Sequence, residues 1–232
     1  MHTLPEGYRA LVVGASGAIG AALLDLLKAD NRCGLALGLH RQSDPAIDLL
    51  DEASVAGAAA RLGEHQPFQI IINAAGLLHG PDLMPEKKLG DLSLARMQKV
   101  FAVNTFGPAL LLRHFAPLLD RRCGRMAFLS AKVGSIGDNR AGGWYSYRAS
   151  KAALNMLVKT ASIELRRSHP GAVLLALHPG TVSSRLSAPF RGAEIGREAA
   201  TAAAELLGVI DRMSAPSDSG QFFSYSGESL PW

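Results

Sequence analysis

The stretch Arg9-Ala10-Leu11-Val12-Val13-Gly14-Ala15-Ser16-Gly17-Ala18-Ile19-Gly20 decides how the rest of the chain is read. Its first part, Arg9 to Val13, is a short apolar run. A turn with glycine at every third position follows, and Ala21 to Ala29 then carries a helical pattern. Strand, glycine turn and helix in that order give the turn its meaning. The helix start offers unpaired N–H groups and the positive end of a dipole to an anion. Gly14 allows the tight turn, Gly17 a close backbone approach to a pyrophosphate, and Gly20 close packing of helix on strand. The stretch therefore points to a dinucleotide held by Gly14, Ser16, Gly17, Ala18, Ile19 and Gly20.

Outward from the turn, a second strand over Gly34 to Leu39 ends at His40-Arg41-Gln42-Ser43. In a βαβ unit this strand end faces the adenosine ribose. A carboxylate there suits NAD, and an arginine suits the 2′-phosphate of NADP. Arg41 stands there without an acidic residue, so NADP is expected over NAD, with His40 as packing. Residues Ala46 to Asp51 read as a short strand or strand end, and a helix follows over Glu52 to Leu62. Asp48, next to Leu49, is placed to accept a hydrogen bond from the adenine amino group. Asp51 reads equally as a helix cap.

Gln66 to Ile72 is the next buried strand, running into Asn73-Ala74-Ala75-Gly76, whose small residues let the backbone pass a flat ligand edge. Leu77 to Gly90 is a loop. Leu92 to Val103 and Thr105 to Leu119 make a long helix with Asn104 inside, a poor helix-interior residue that asks for a kink or a hydrogen-bonded water. Strands over Arg125 to Leu129, Ala172 to Leu177 and Gln221 to Tyr225, with a helix over Glu198 to Ile210, complete the alternation. It implies one α/β domain: a doubly wound, mostly parallel sheet with helices on both faces and ligands at the carboxyl ends of the strands. The glycine turn, Asn73 to Gly76, Ser130 and Pro179-Gly180 all fall at those ends.

With 232 residues, 48% of them apolar, the composition is that of a globular domain. The net charge of +4 is scattered, and pairs such as Arg121-Arg122 read as solvated helix ends, which argues against a nucleic-acid track. Cys33 and Cys123 stand alone, giving neither a disulfide framework nor a metal spacing, as suits a reducing cytoplasm. The N-terminal residues lack a signal pattern, and no apolar run approaches membrane-spanning length.

The chemistry is placed on Trp144-Tyr145-Ser146-Tyr147-Arg148-Ala149-Ser150-Lys151. A helix is expected from Arg148, with Tyr147 in the first turn and Lys151 one turn on, on the same face. A free tyrosine has a pKa of about 10. The ammonium is expected to lower it, so that the phenol exchanges a proton with a carbonyl or alcohol.

These residues together (the glycine turn, Asn73 to Gly76, Asn104, Tyr147 with Lys151, and Pro179-Gly180) make the chain resemble the short-chain dehydrogenase/reductases over nearly its whole length. Gly134 to Asn139, Gly142 to Asn155 and the ending Leu230-Pro231-Trp232 are similar to the C-factor and sniffer-like carbonyl reductase branch. The resemblance implies an NADP-dependent oxidoreductase acting on a small carbonyl compound or alcohol, as a homodimer or homotetramer. Tyr147 is then the general acid/base. Lys151 tunes Tyr147 and holds the nicotinamide ribose, and Asn104 anchors a water relay. Val182 and Ser184 meet the nicotinamide carboxamide and phosphates, under a lid over residues 183–195. Trp144 and Phe190 shape the substrate pocket.

Two positions depart from that pattern. Ala18 stands where a glycine is usual, and Ala131 stands where relatives carry the catalytic serine. Ser130 matches the preceding serine and is the candidate stand-in. A dinucleotide-binding signalling or regulatory protein with little turnover is the rival reading, and a structural oligomer partner a third.

Overall fold

A computed structural model describes residues 1–232, the side chain of Ala193 excepted. Strand β1 (Tyr8–Val13) leads through the glycine turn into α1 (Ala18–Ala29), then β2 (Cys33–Leu39), α2 (Glu52–Leu62) and β3 (Ile70–Asn73). Helices α3 (Leu94–Phe101) and α4 (Gly107–Phe115) precede β4 (Arg125–Leu129), and the long α5 (Tyr145–Leu165) precedes β5 (Val173–His178). The short α6 (Gly192–Ile195), then α7 (Ala199–Arg212) and β6 (Gln221–Ser224), close the chain.

All five strand pairings are parallel, in the order β2-β1-β3-β4-β5-β6. The chain steps from β1 to β2 on one side and crosses to β3 on the other. The order thus reverses between β1 and β3, and a crevice opens there beyond the strand ends. Alternate side chains go to opposite faces. Leu11, Val13, Ile71, Met126, Phe128 and Leu174 meet α2, α4 and α5 on one face. Val12, Ile70, Ile72, Leu175 and Leu177 meet α1 and α7 on the other. Covering both faces explains why the strands read as continuous apolar runs. Burying one such Ile or Leu stabilises by roughly 1.5–3 kcal/mol.

The expected strand over residues 46–51 does not form. Ile47 N–H donates to the His40 carbonyl at 3.1 Å, Asp48 N–H to Ser54 Oγ at 2.9 Å, and Leu50 N–H to Asp48 Oδ1 at 3.0 Å. Those turn bonds use the backbone groups a strand would pair, and β2 is left at the sheet edge. β3 starts later than the apolar run suggests, at Ile70, with Phe68 joined only by an isolated bridge to Leu119. The long helix around Asn104 is interrupted by a π-helical turn over Ala102–Phe106. Helix α5 begins at Tyr145, three residues before Arg148, so Tyr147 lies in its first turn.

Candidate active site

Gly14 has φ +84°, and a Cβ there would lie 2.6 Å from Ala75 N. This is a turn pressed against the segment after β3, where no side chain fits. Gly20 packs on the turn itself: a Cβ would lie 2.8 Å from the Gly14 carbonyl carbon and nearer still to its oxygen. At Gly17 a Cβ would meet nothing closer than Gly14 O at 3.4 Å, so that position faces open space. No side chain caps α1, and Ser16, Gly17 and Ala18 are exposed. The first N–H groups of α1 thus remain available to an anion. These features fit a dinucleotide pyrophosphate, with Ile19 half-buried behind the turn.

At the end of β2, Arg41 is exposed and enters no ion pair among the described residues. The acid in that turn, Asp44, is committed to Arg61 at 2.6 Å. His40 is structural: its Nδ1 accepts from Gln42 N–H at 3.1 Å, and its carbonyl from Ser43 Oγ at 2.8 Å. Asp51 caps α2 by accepting from Ala53 N–H at 2.9 Å. Asp48 engages Leu50 through Oδ1 alone, next to half-buried Leu49. At the end of β3, Asn73 Oδ1 accepts from Ala75 N–H at 3.2 Å and its buried Nδ2 has no partner. Half-buried Ala74 and Ala75 lead from it to exposed Gly76.

Tyr147 and Lys151 lie on the buried face of α5, 8% and 3% exposed. Lys151 Nζ donates to the Leu129 carbonyl at 2.8 Å and sits 5.8 Å from the Tyr147 ring centroid. A Cβ on Gly76 would lie 3.7 Å from that nitrogen, which places the lysine beside the segment after β3. Burial governs both groups. It pushes the Tyr147 phenol up to about 12 and the Lys151 ammonium down to about 8. The expectation that the lysine lowers the tyrosine is therefore corrected: the loss of water around the phenolate outweighs an ammonium that is itself desolvated and bound to a carbonyl.

Asn104 is fully buried at the π-turn. Its Oδ1 accepts from Leu77 N–H at 2.7 Å, and its Nδ2 donates to the Leu77 carbonyl at 2.8 Å and to Ser150 Oγ at 3.1 Å. Thr105 Oγ1 donates to the Ser150 carbonyl at 3.0 Å. The asparagine side chain thus ties the segment after β3 to α5, close to Lys151.

Around Tyr147 stand Leu78, Ala131, Val133, Trp144 and Phe190. Ring centroids are 6.1 Å apart for Trp144 and Tyr147, 4.9 Å for Trp144 and Phe190, and 5.8 Å for Phe190 and His79. Ala131 is therefore packed in the same apolar cluster as Tyr147. Ser130, one residue earlier, has the opposite orientation, and its Oγ donates to Asn155 Oδ1 at 2.7 Å under α5. Ser135 Oγ donates to the Trp232 carbonyl at 3.3 Å. The reading of Ser130 as stand-in is corrected on this geometry: side-chain alternation sends its hydroxyl to the far face.

Beyond β5, Gly180 (φ +76°) packs against the Tyr225 ring, the Pro179 carbonyl accepts from the Arg197 guanidinium at 3.5 Å, and Val182 is buried. Ser184 Oγ donates to the Val182 carbonyl at 3.3 Å, and Ser187 Oγ to the same carbonyl at 2.5 Å. Arg197 closes the base of the following segment, with its N–H on the Thr181 carbonyl at 2.9 Å and its guanidinium 3.9 Å from the Tyr225 ring centroid. Phe190, on a short 3-10 turn, reaches from this segment to Trp144.

Leu78, Val133 and Glu86 escape a reading by sequence. The first two look like ordinary loop apolars. Glu86, beside Lys87 and Lys88, looks like a solvated charge yet is 3% exposed.

The family model for short chain dehydrogenases matches residues 40–194. The chain is 33% identical over 189 residues to 1-hydroxy-2-glutathionyl-2-methyl-3-butene dehydrogenase of Rhodococcus sp., covering 82% of this chain and 80% of that one. It is 37% identical over 167 residues to C-signal of Myxococcus xanthus, covering 72% and 93%. Its fold matches the NADPH-bound carbonyl reductase from chicken fatty liver with a TM-score of 0.82 at 26% identity, covering 99% and 100%. The parallel sheet, the glycine turn at its switch point and the tyrosine one turn before a lysine agree with that likeness, and the chain belongs to the short-chain dehydrogenase family.

Proposed function

We propose that the chain is an NADP-dependent oxidoreductase that interconverts a carbonyl compound and its alcohol, with Tyr147 as general acid/base. The observation that carries this is a buried tyrosine packed among Leu78, Ala131, Val133, Trp144 and Phe190, one turn before a buried lysine that stands beside the segment pressed on the glycine turn. The nicotinamide, when bound, supplies or takes the hydride. Gly14 to Gly20 would hold the pyrophosphate, Arg41 the 2′-phosphate, and Asp48 with Leu49 the adenine. Asn73, Ala74, Ala75 and Gly76, with Lys151, Pro179, Gly180, Val182 and Ser184, would line the rest of the dinucleotide's path. Tyr147, held near 12, keeps its proton at neutral pH, which favours donation to a carbonyl oxygen over abstraction from an alcohol. Residues 183–195 act as the lid, with Phe190 closing on Trp144.

The same reading places the protein in the cytoplasm and as a homo-oligomer, to which the exposed Met156 and Ile163 on α5 would contribute. No helix is long and apolar enough to cross a membrane. The test is NADPH consumption with a panel of aliphatic and aromatic aldehydes, ketones and quinones, alongside direct NADPH binding. Binding with turnover is expected.

Ala131 supports a second reading, a dinucleotide-binding regulatory protein, because an alanine packs in the cluster around Tyr147 at the position where the family resemblance puts the catalytic serine. Tight binding without turnover on the whole panel selects it.

A further inference from the structure

We infer that Glu86, in the loop after β3, is a positioning residue for Tyr147; the inference rests on the oxidoreductase reading. Helix α5 begins badly on its own. Its N-cap is Trp144, which has no side-chain oxygen and sits at φ +54°, after Gly142 at +62° and Gly143 at +63°. Helices normally satisfy their first N–H groups with a capping side chain at this position.

Here the acceptor comes from 60 residues away. Glu86 Oε2 accepts from Ser146 N–H at 3.1 Å, and Oε1 accepts from the Ser146 hydroxyl. The Glu86 main-chain carbonyl accepts from Trp144 N–H at 2.5 Å. One loop residue thus grips the helix start at two points, directly before Tyr147. Both side chains are buried, Glu86 at 3% and Ser146 at 1%, and the carboxylate enters no ion pair among the described residues. Its charge is compensated by the helix N-terminus and by these bonds.

Trp144 and Tyr147 form an edge-to-face pair, so the grip sets both rings. Without the carboxylate, Ser146 loses both of its bonds to Glu86 while Trp144 N–H keeps the main-chain carbonyl, and the first turn of α5 loosens directly before Tyr147.

The test uses a Trp232→Phe background, in which Trp144 is the sole tryptophan. Acrylamide quenching of Trp144, NADPH affinity, and kcat with the carbonyl compound the parent reduces fastest are measured for Glu86→Ala and Glu86→Gln. The alanine variant is expected to raise quenching and to lower kcat about ten- to a hundredfold, with NADPH affinity within about twofold of the parent. The glutamine variant keeps an acceptor for Ser146 N–H and is expected to recover most of the kcat. Unchanged quenching with kcat within about twofold in the alanine variant overturns the inference. So does a glutamine variant no better than alanine. If Glu86→Ala does not fold, Ser146→Ala carries the test: higher quenching with lower kcat supports the grip, and no change in either overturns it. A parent that consumes NADPH with no aldehyde, ketone or quinone of the panel defeats the oxidoreductase reading, and Trp144 quenching then decides the grip alone.

Discussion

The glycine turn after β1 and the cluster around Tyr147 are joined by the segment after β3, which presses on Gly14 and reaches Lys151, and they are built from different material. The turn works through what is missing: Gly14 and Gly20 are pressed so tightly that a Cβ has no place, and the α1 N–H groups are left uncapped. The tyrosine pocket works through what is brought in. Phe190 comes from beyond β5, Leu78 from beyond β3, and Glu86 caps α5 from a loop far off in sequence. A site made of backbone is written in one local stretch, whereas a site made of side chains depends on the whole fold.

The comparison breaks most sharply if the two sides cannot be damaged separately. Tyr147→Phe is expected to cut turnover by about a hundred- to ten-thousandfold while NADPH affinity stays nearly constant, read by kinetics and by titration of the cofactor. Gly20→Val is expected to do the reverse on the cofactor side. Overpacking the turn should weaken NADPH binding about ten- to a hundredfold, with any loss of stability followed by thermal melting. If Tyr147→Phe weakens binding as much as turnover, the two sides are not independent.

Ala131→Ser sharpens the same contrast. The position lies in the cluster around Tyr147, so an added hydroxyl is expected to raise turnover about ten- to a hundredfold. Ser130→Ala, by comparison, should leave the chemistry unchanged apart from the cost of its bond to Asn155. No gain from Ala131→Ser would mean that the pocket already supplies its donor elsewhere. The smallest effect is expected at Arg41, which should set cofactor choice alone: Arg41→Ala should reduce the preference for NADPH over NADH about tenfold. Equal discrimination by mutant and parent would remove Arg41 from the site.

The same contrast explains what the sequence makes legible. Glu52–Leu62 and Arg125–Leu129 can be bounded from pattern alone, and the order of strand, turn and helix around Gly14 can be read, although α1 starts at Ala18, three residues before the expected Ala21. Residues 46–51 mislead: Ile47, Leu49 and Leu50 are apolar, yet Asp48, Ser43 and Ser54 use the backbone groups in a turn. The pairing of Tyr147 with Lys151 is readable from a spacing of four. Its electrostatics are not, since burial outweighs the neighbouring charge and burial belongs to the folded molecule. Ser130 is ambiguous until strand parity after β4 is known. Glu86 leaves no trace, because its partner Ser146 lies across the fold.

The central claim is that this crevice moves a hydride, and the most direct measurement follows the label itself. NADPH carrying deuterium at both C4 positions of the nicotinamide ring is incubated with the parent protein and the carbonyl panel, and the products are examined by mass spectrometry. The account predicts deuterium on the carbinol carbon of an alcohol product in the parent, and its loss in Tyr147→Phe. Tight NADPH binding with no deuterium in any product would contradict it.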